Sequence, residues 1–119
     1  MPHLARTHLP RVHLFLAASL VFSPVAGQAQ DDTDASLGKE VFVELAEPQC
    51  AICHALADAG AAGDIGPDLD ALKPTRERVS AAVTNGINAM PPYGEILTEA
   101  QIEAVADYVS TVAGRPGSQ

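Results

Sequence analysis

Two cysteines three residues apart, with a histidine directly after the second, form the stretch Cys50-Ala51-Ile52-Cys53-His54. On one helical turn, two thiols so spaced can each reach a vinyl group on a single porphyrin edge, while the next side chain turns its imidazole under the iron. The pattern is the attachment signature of a covalent c-type haem. Two other chemistries use paired cysteines. A zinc site needs a second Cys or His group, and none exists in the chain after residue 29. A redox-active dithiol of the thioredoxin kind needs a βαβ pattern around it, and none is present.

With His54 as the proximal ligand, a six-coordinate iron needs one more axial donor. His54 is the only histidine after residue 29, and Met90 the only methionine. Met90 lies 36 residues beyond His54, beside Pro91 and Pro92, in a loop that a chain of this size can fold across the opposite haem face. A thioether is a soft, neutral ligand that favours ferrous iron and raises the reduction potential. The function expected from this ligand pair is outer-sphere electron transfer. If Met90 is instead an ordinary loop or core methionine, the iron is five-coordinate and open to small ligands. The alternative is then an open-site haem protein, a gas sensor or a small haem enzyme.

The rest of the chain has to position these groups. Residues 1–13 carry Arg6 and Arg11 with no acid, and Leu14 to Val25 is a short apolar run followed by Gly27-Gln28-Ala29. This reads as a secretory signal peptide over residues 1–29, cleaved after Ala29, and hence as export to the periplasm. A membrane anchor is the competing reading, but the run falls short of the roughly 20 apolar residues a span requires. Residues 30–119 hold five basic residues against 15 acidic ones, a formal charge of −10. Such a surface repels nucleic acid. Its acidity serves either solubility or steering toward a basic partner. Only Phe42, Tyr93 and Tyr108 are aromatic in these 90 residues, so a buried porphyrin would supply apolar bulk that the chain lacks.

Residues 30–36 read as an acidic flexible leader. Ser36 can cap a first helix to about Ala46, with Leu37, Val41 and Leu45 recurring at spacing four. Gly38 within it marks either a close approach by another element or a tolerated glycine. Ala55 to Asp64 shows no strand pattern, and Gly66-Pro67-Asp68-Leu69 continues as loop. Thr75 can cap a second helix to about Asn85, with Val79 and Val83 inward and Asn85-Gly86 as its stop. Thr98 and Gln101 form a capping box for the last helix, followed by Ile102, Val105, Val109 and Val112. Glu99, Glu103 and Asp107 read as a solvated acidic stripe. The expected fold is all-α, three main helices and long loops around a covalent haem, with a tail at 114–119.

CAICH, GPDL and MPPY occur in the order and at the places seen in the small bacterial class I cytochromes c, which residues 37–113 resemble. The resemblance implies one covalent haem c on Cys50, Cys53 and His54, with Met90 as the second iron ligand. It implies that the Pro67 carbonyl receives the Nδ1–H of His54 and that Leu69 packs on the haem. It also implies that the first and last helices cross at Gly38, Phe42 and Tyr108. Tyr93 either lines the pocket or faces solvent. Family members often hold a propionate with tryptophan, which this chain lacks; Arg78 and Tyr93 are the substitutes at hand. The implied partners are redox proteins, an electron-donating dehydrogenase and a terminal oxidase or other acceptor, served by a monomer or a small subunit of a redox complex. No charge occurs from Gly86 to Gly94, which points to a weakly polar docking patch in an acidic surround. The layout is also similar to the cytochrome partners of periplasmic sulfite-oxidising molybdoenzymes.

Overall fold

Thr98 and Gln101 close the reciprocal capping box that the sequence predicts, and the helix they start, α5 (Glu99–Val112), is the wall against which the rest of the chain packs. The chain is described here from a computed structural model that covers residues 28–116; the predicted signal peptide falls on residues outside this range apart from its last two. In chain order the elements are α1 (Gln28–Glu40), running on as a π turn (Val41–Leu45), α2 (Cys50–Cys53), β1 (Ala55–Leu56), a 3-10 turn (Ala57–Ala59), β2 (Ala61–Ala62), α3 (Leu69–Leu72), α4 (Arg76–Asn85) and α5. Among the described residues, no helix is long and apolar enough to cross a membrane.

The first helix starts eight residues before Ser36, so the stretch expected as a flexible leader is helical and Ser36 is not its cap. The Ser36 hydroxyl instead donates back to the Thr33 carbonyl at 2.8 Å. Acidic residues toward the positive end of the helix and Lys39 in its last turn complement its dipole. The predicted inward stripe holds at Val41, which is fully buried, and fails at Leu45, which is 39% exposed. The π turn is the reason. Its hydrogen bonds span five residues, as in Ala46 N–H to the Val41 carbonyl at 3.1 Å, so the inward position after Val41 is Ala46.

Gly38 sits where α1 crosses α5. A Cβ there would strike the Ala104 carbonyl oxygen and come 2.5 Å from the Tyr108 Cβ, which selects close approach as the reason for this glycine. One turn on, the buried Phe42 ring meets Tyr108 edge to face, with centroids 6.3 Å apart. The Tyr108 hydroxyl donates to Asp58 at 2.7 Å, and Lys39 Nζ donates to the Asp58 carbonyl at 2.7 Å. Asp58 thereby fastens the loop after His54 to both crossing helices.

Two short elements replace predicted loop. Ala55–Leu56 and Ala61–Ala62 pair antiparallel around Gly60, which takes a left-handed conformation with φ of 64°. Two-residue strands of alanine and leucine carry no alternation to read. Helix α3 is a single turn, too short for periodicity, and its signal lies in Asp68, whose Oδ1 accepts from Asp70 N and Ala71 N at 2.8 and 3.1 Å. Helix α4 begins at its predicted cap, with Thr75 Oγ1 accepting from Arg78 N. The acidic stripe on α5 is only partly solvated. Arg76 reaches from α4 to both Glu103 and Asp107, and Ser80 Oγ donates to Glu103 Oε1 at 3.1 Å, clamping α4 to α5; Glu99 is exposed.

Candidate haem site

The single turn of α2 sets Cys50 and Cys53 on one side of a cavity of about 720 Å³, and His54 follows in extended conformation on its wall. Burial pushes the Cys50 thiol up to about 11, with the neighbouring Cys53 adding to the rise and a backbone hydrogen bond opposing it. Among the described residues, no group of three or more His, Cys, Asp and Glu is placed to hold a metal ion. Within these residues the two cysteines and His54 have no further Cys or His group to complete a zinc site.

His54 is gripped from behind. Its Nδ1 lies 2.8 Å from the Pro67 carbonyl oxygen; since a carbonyl only accepts, Nδ1 carries the proton and Nε2 is left with its lone pair. Gly66 N–H donates to the Cys53 carbonyl at 2.7 Å, which presses the loop flat against the imidazole. A Cβ on Gly66 would stand 2.6 Å from His54 Cε1, and one on Gly63 would stand 2.6 Å from His54 N. These two glycines leave room for His54, a role that sequence reasoning passed over. Gly66 was visible as part of GPDL; nothing in the sequence marks Gly63. Leu69, 8% exposed, lines the cavity next to Pro67.

Met90 reaches the same cavity from another part of the chain. Its loop is closed on itself by paired bonds, Ile87 N–H to the Met90 carbonyl at 3.1 Å and Met90 N–H to the Ile87 carbonyl at 2.9 Å. Gly86, with φ of 70°, lets the loop fold back; a Cβ there would lie 2.7 Å from the Met90 carbonyl oxygen. Beyond the prolines, Tyr93 N–H donates to Val83 and Gly94 N–H to Thr84, so the loop is hung on the end of α4. Tyr93 is a pocket residue, 3% exposed, and its hydroxyl donates to the Pro48 carbonyl at 2.7 Å.

Cys50, Cys53, His54, Pro67, Leu69 and Met90 thus line one cavity, although they are spread over 41 positions of sequence. Phe42, Val83, Val105 and Val109 are among the further residues of its apolar lining, and the volume lies within the roughly 300–1,000 Å³ of cofactor sites. Among the described residues, Arg78 is the one Lys or Arg that lines the cavity, and no carboxylate does. An apolar planar group carrying anionic substituents fits such a chamber: nothing in the lining repels it, and one guanidinium can face it.

A family model described as cytochrome C oxidase, cbb3-type, subunit III, matches residues 33–109. The chain is 36% identical over 106 residues to cytochrome c6 of Rippkaea orientalis, covering 82% of this chain and 83% of that one. It is 38% identical over 84 residues to cytochrome c6 of Cyanidioschyzon merolae, covering 64% and 72% respectively. The crystal structure of the c-type cytochrome SorU from Sinorhizobium meliloti superposes with a TM-score of 0.70 at 60% identity, over 73% of this chain and 99% of that one.

Proposed function

From the fact that this chain belongs to the small class I c-type cytochromes, electron-transfer proteins carrying covalent haem c, we propose that its own ligand set is Cys50, Cys53, His54 and Met90. The two cysteines would hold the porphyrin through thioethers, and His54 and Met90 would ligate its iron. The bound group supplies a one-electron couple between ferrous and ferric iron. The observation that carries the reading is the convergence of the chain's only two cysteines, its only histidine after residue 29 and its only methionine after Met1 on one apolar cavity.

Each residue has a definable task. The Pro67 carbonyl orients His54, keeps Nε2 free to ligate and raises the basicity of the ring. Leu69 and the valines of α4 and α5 exclude water and lower the local dielectric. A neutral thioether from Met90 would favour the ferrous state of a bound haem and leave its iron no open position for exogenous ligands. The protein then cycles one electron without turning over a substrate.

The reading extends to place and partners. Residues 1–29 direct export and are removed after Ala29, and the mature domain works in the periplasm between an electron-donating dehydrogenase and a terminal oxidase or other acceptor. The layout similarity to cytochrome partners of sulfite-oxidising molybdoenzymes names the first donor class to try. The protein acts as a monomer or as a small subunit of a redox complex.

Protein isolated from its native source should carry one haem per chain that survives denaturing electrophoresis, titrate as a single one-electron couple, and take up no carbon monoxide when reduced. High-spin iron that binds carbon monoxide readily would favour the open-site alternative.

A further inference from the structure

The segment that carries Met90 and the segment that carries Cys50, Cys53 and His54 approach each other across the cavity, and among the described residues one side-chain hydrogen bond joins them. Tyr93, three residues after Met90, donates its hydroxyl to the carbonyl of Pro48, two residues before Cys50, at 2.7 Å. The ring is 3% exposed and lines the cavity together with Cys50 and Met90.

Among the described residues, the other hydrogen bonds of the Met90 loop run within the loop, to the end of α4 and to the turn that follows. Ile87 and Met90 bond each other, Tyr93 and Gly94 hang on Val83 and Thr84, and the Tyr93 carbonyl accepts from Ile96 and Leu97. The loop is therefore stiff within itself and fixed to α4, while its position relative to α2 depends on ring packing and this one hydroxyl. A buried phenol also favours making such a bond, because leaving its O–H unpaired away from water is costly.

We propose that Tyr93 is a positioning residue that straps the Met90 loop shut over the cavity, so that the Tyr93–Pro48 bond governs how readily Met90 leaves the iron. The inference rests on the reading of Met90 as an iron ligand. Opening the strap would break the iron–sulfur bond and the Tyr93–Pro48 bond together, and an incoming base would form a bond to the iron in place of the thioether. No electron moves in this exchange.

Imidazole is the probe. Its binding to the oxidised holoprotein is followed by loss of the far-red sulfur-to-iron absorption band, alongside global stability measured by denaturant unfolding. Tyr93→Phe keeps the ring and removes only the hydroxyl; it should tighten imidazole binding about fivefold to tenfold, the equivalent of one buried hydrogen bond. Tyr108→Phe removes the hydroxyl of another buried tyrosine, bonded to Asp58, with neither residue lining the cavity, and should lower global stability without that gain. Unchanged imidazole binding in Tyr93→Phe overturns the strap, as does an equal gain in Tyr108→Phe, which would assign the effect to general loosening. Met90→Ala separates the two readings. If it binds imidazole no more readily than the native protein, the ligand assignment itself fails; if it binds far more readily while Tyr93→Phe does not, only the strap fails.

Discussion

The Nδ1–H of His54 donates to the carbonyl of Pro67 at 2.8 Å, and Gly66, the residue before that proline, lies flat on the same ring. One bond selects the tautomer and one missing side chain leaves room for the orientation. Gly66→Ala puts a methyl group 2.6 Å from Cε1 and 2.9 Å from Nδ1, so the imidazole has to turn or the loop has to lift. Overpacking of this kind costs roughly 1–3 kcal/mol. Denaturant unfolding should show that loss, and the ferric absorption spectrum should show a high-spin fraction absent from the native protein.

At the crossing of α1 and α5 two effects of opposite sign compete. Gly38→Ala gains about 1 kcal/mol of helix propensity. The added Cβ meets the Ala104 carbonyl and lies 2.5 Å from the Tyr108 Cβ, both on a helix that cannot yield cheaply. Overpacking at roughly 1–3 kcal/mol should win, so the variant should be less stable by chemical denaturation. A more stable variant would show that the crossing has slack.

Burial, reinforced by the bond to Asp58 and the charges of Asp58 and Asp70, holds the Tyr108 phenol well above its ordinary value of 10.0. Below pH 10 both the folded and the unfolded chain keep the proton, and the contribution is complete. Above pH 10 the unfolded chain releases it while the folded chain does not, so stability falls as pH rises. Unfolding free energies measured from pH 8 to 11 should decline more steeply for the native protein than for Tyr108→Phe. Parallel slopes would remove Tyr108 from the account.

Glu95 and Glu99 are exposed just beyond the uncharged stretch from Gly86 to Gly94. If an acidic surround guides a basic partner to that stretch, reversing both charges should slow reduction by the native partner and flatten its salt dependence. Stopped-flow reduction over a range of ionic strength measures both. Unchanged kinetics would leave the acidity to solubility alone.

The helices were legible in the sequence where caps and periodicity agree, as at Thr75 for α4 and at Thr98 with Gln101 for α5. They were misread where hydrogen bonding changes step without a sequence marker: the π turn at Val41–Leu45 sends Leu45 outward and Ala46 inward, and no residue type announces it. CAICH was readable because covalent attachment constrains residue type and spacing together. Met90 was legible as the one methionine after residue 29, whereas the convergence of Pro67 and Leu69 on the cavity was legible only through a likeness to a known fold, since a loop proline and a leucine on a single helical turn show no periodicity. The contacts of Asp58 with Tyr108 and Lys39, and of Tyr93 with Pro48, join residues 19 to 50 positions apart, and short polar groups at such separations carry no pattern.

The central proposal is that Met90 ligates the iron opposite His54, and the absorption spectrum of the oxidised holoprotein tests it most directly. The native protein should show the weak far-red band of sulfur bonded to ferric iron, and Met90→Ala should lose that band while keeping its haem through Cys50 and Cys53. A native spectrum without the band, or a Met90→Ala spectrum that retains it, would contradict the assignment.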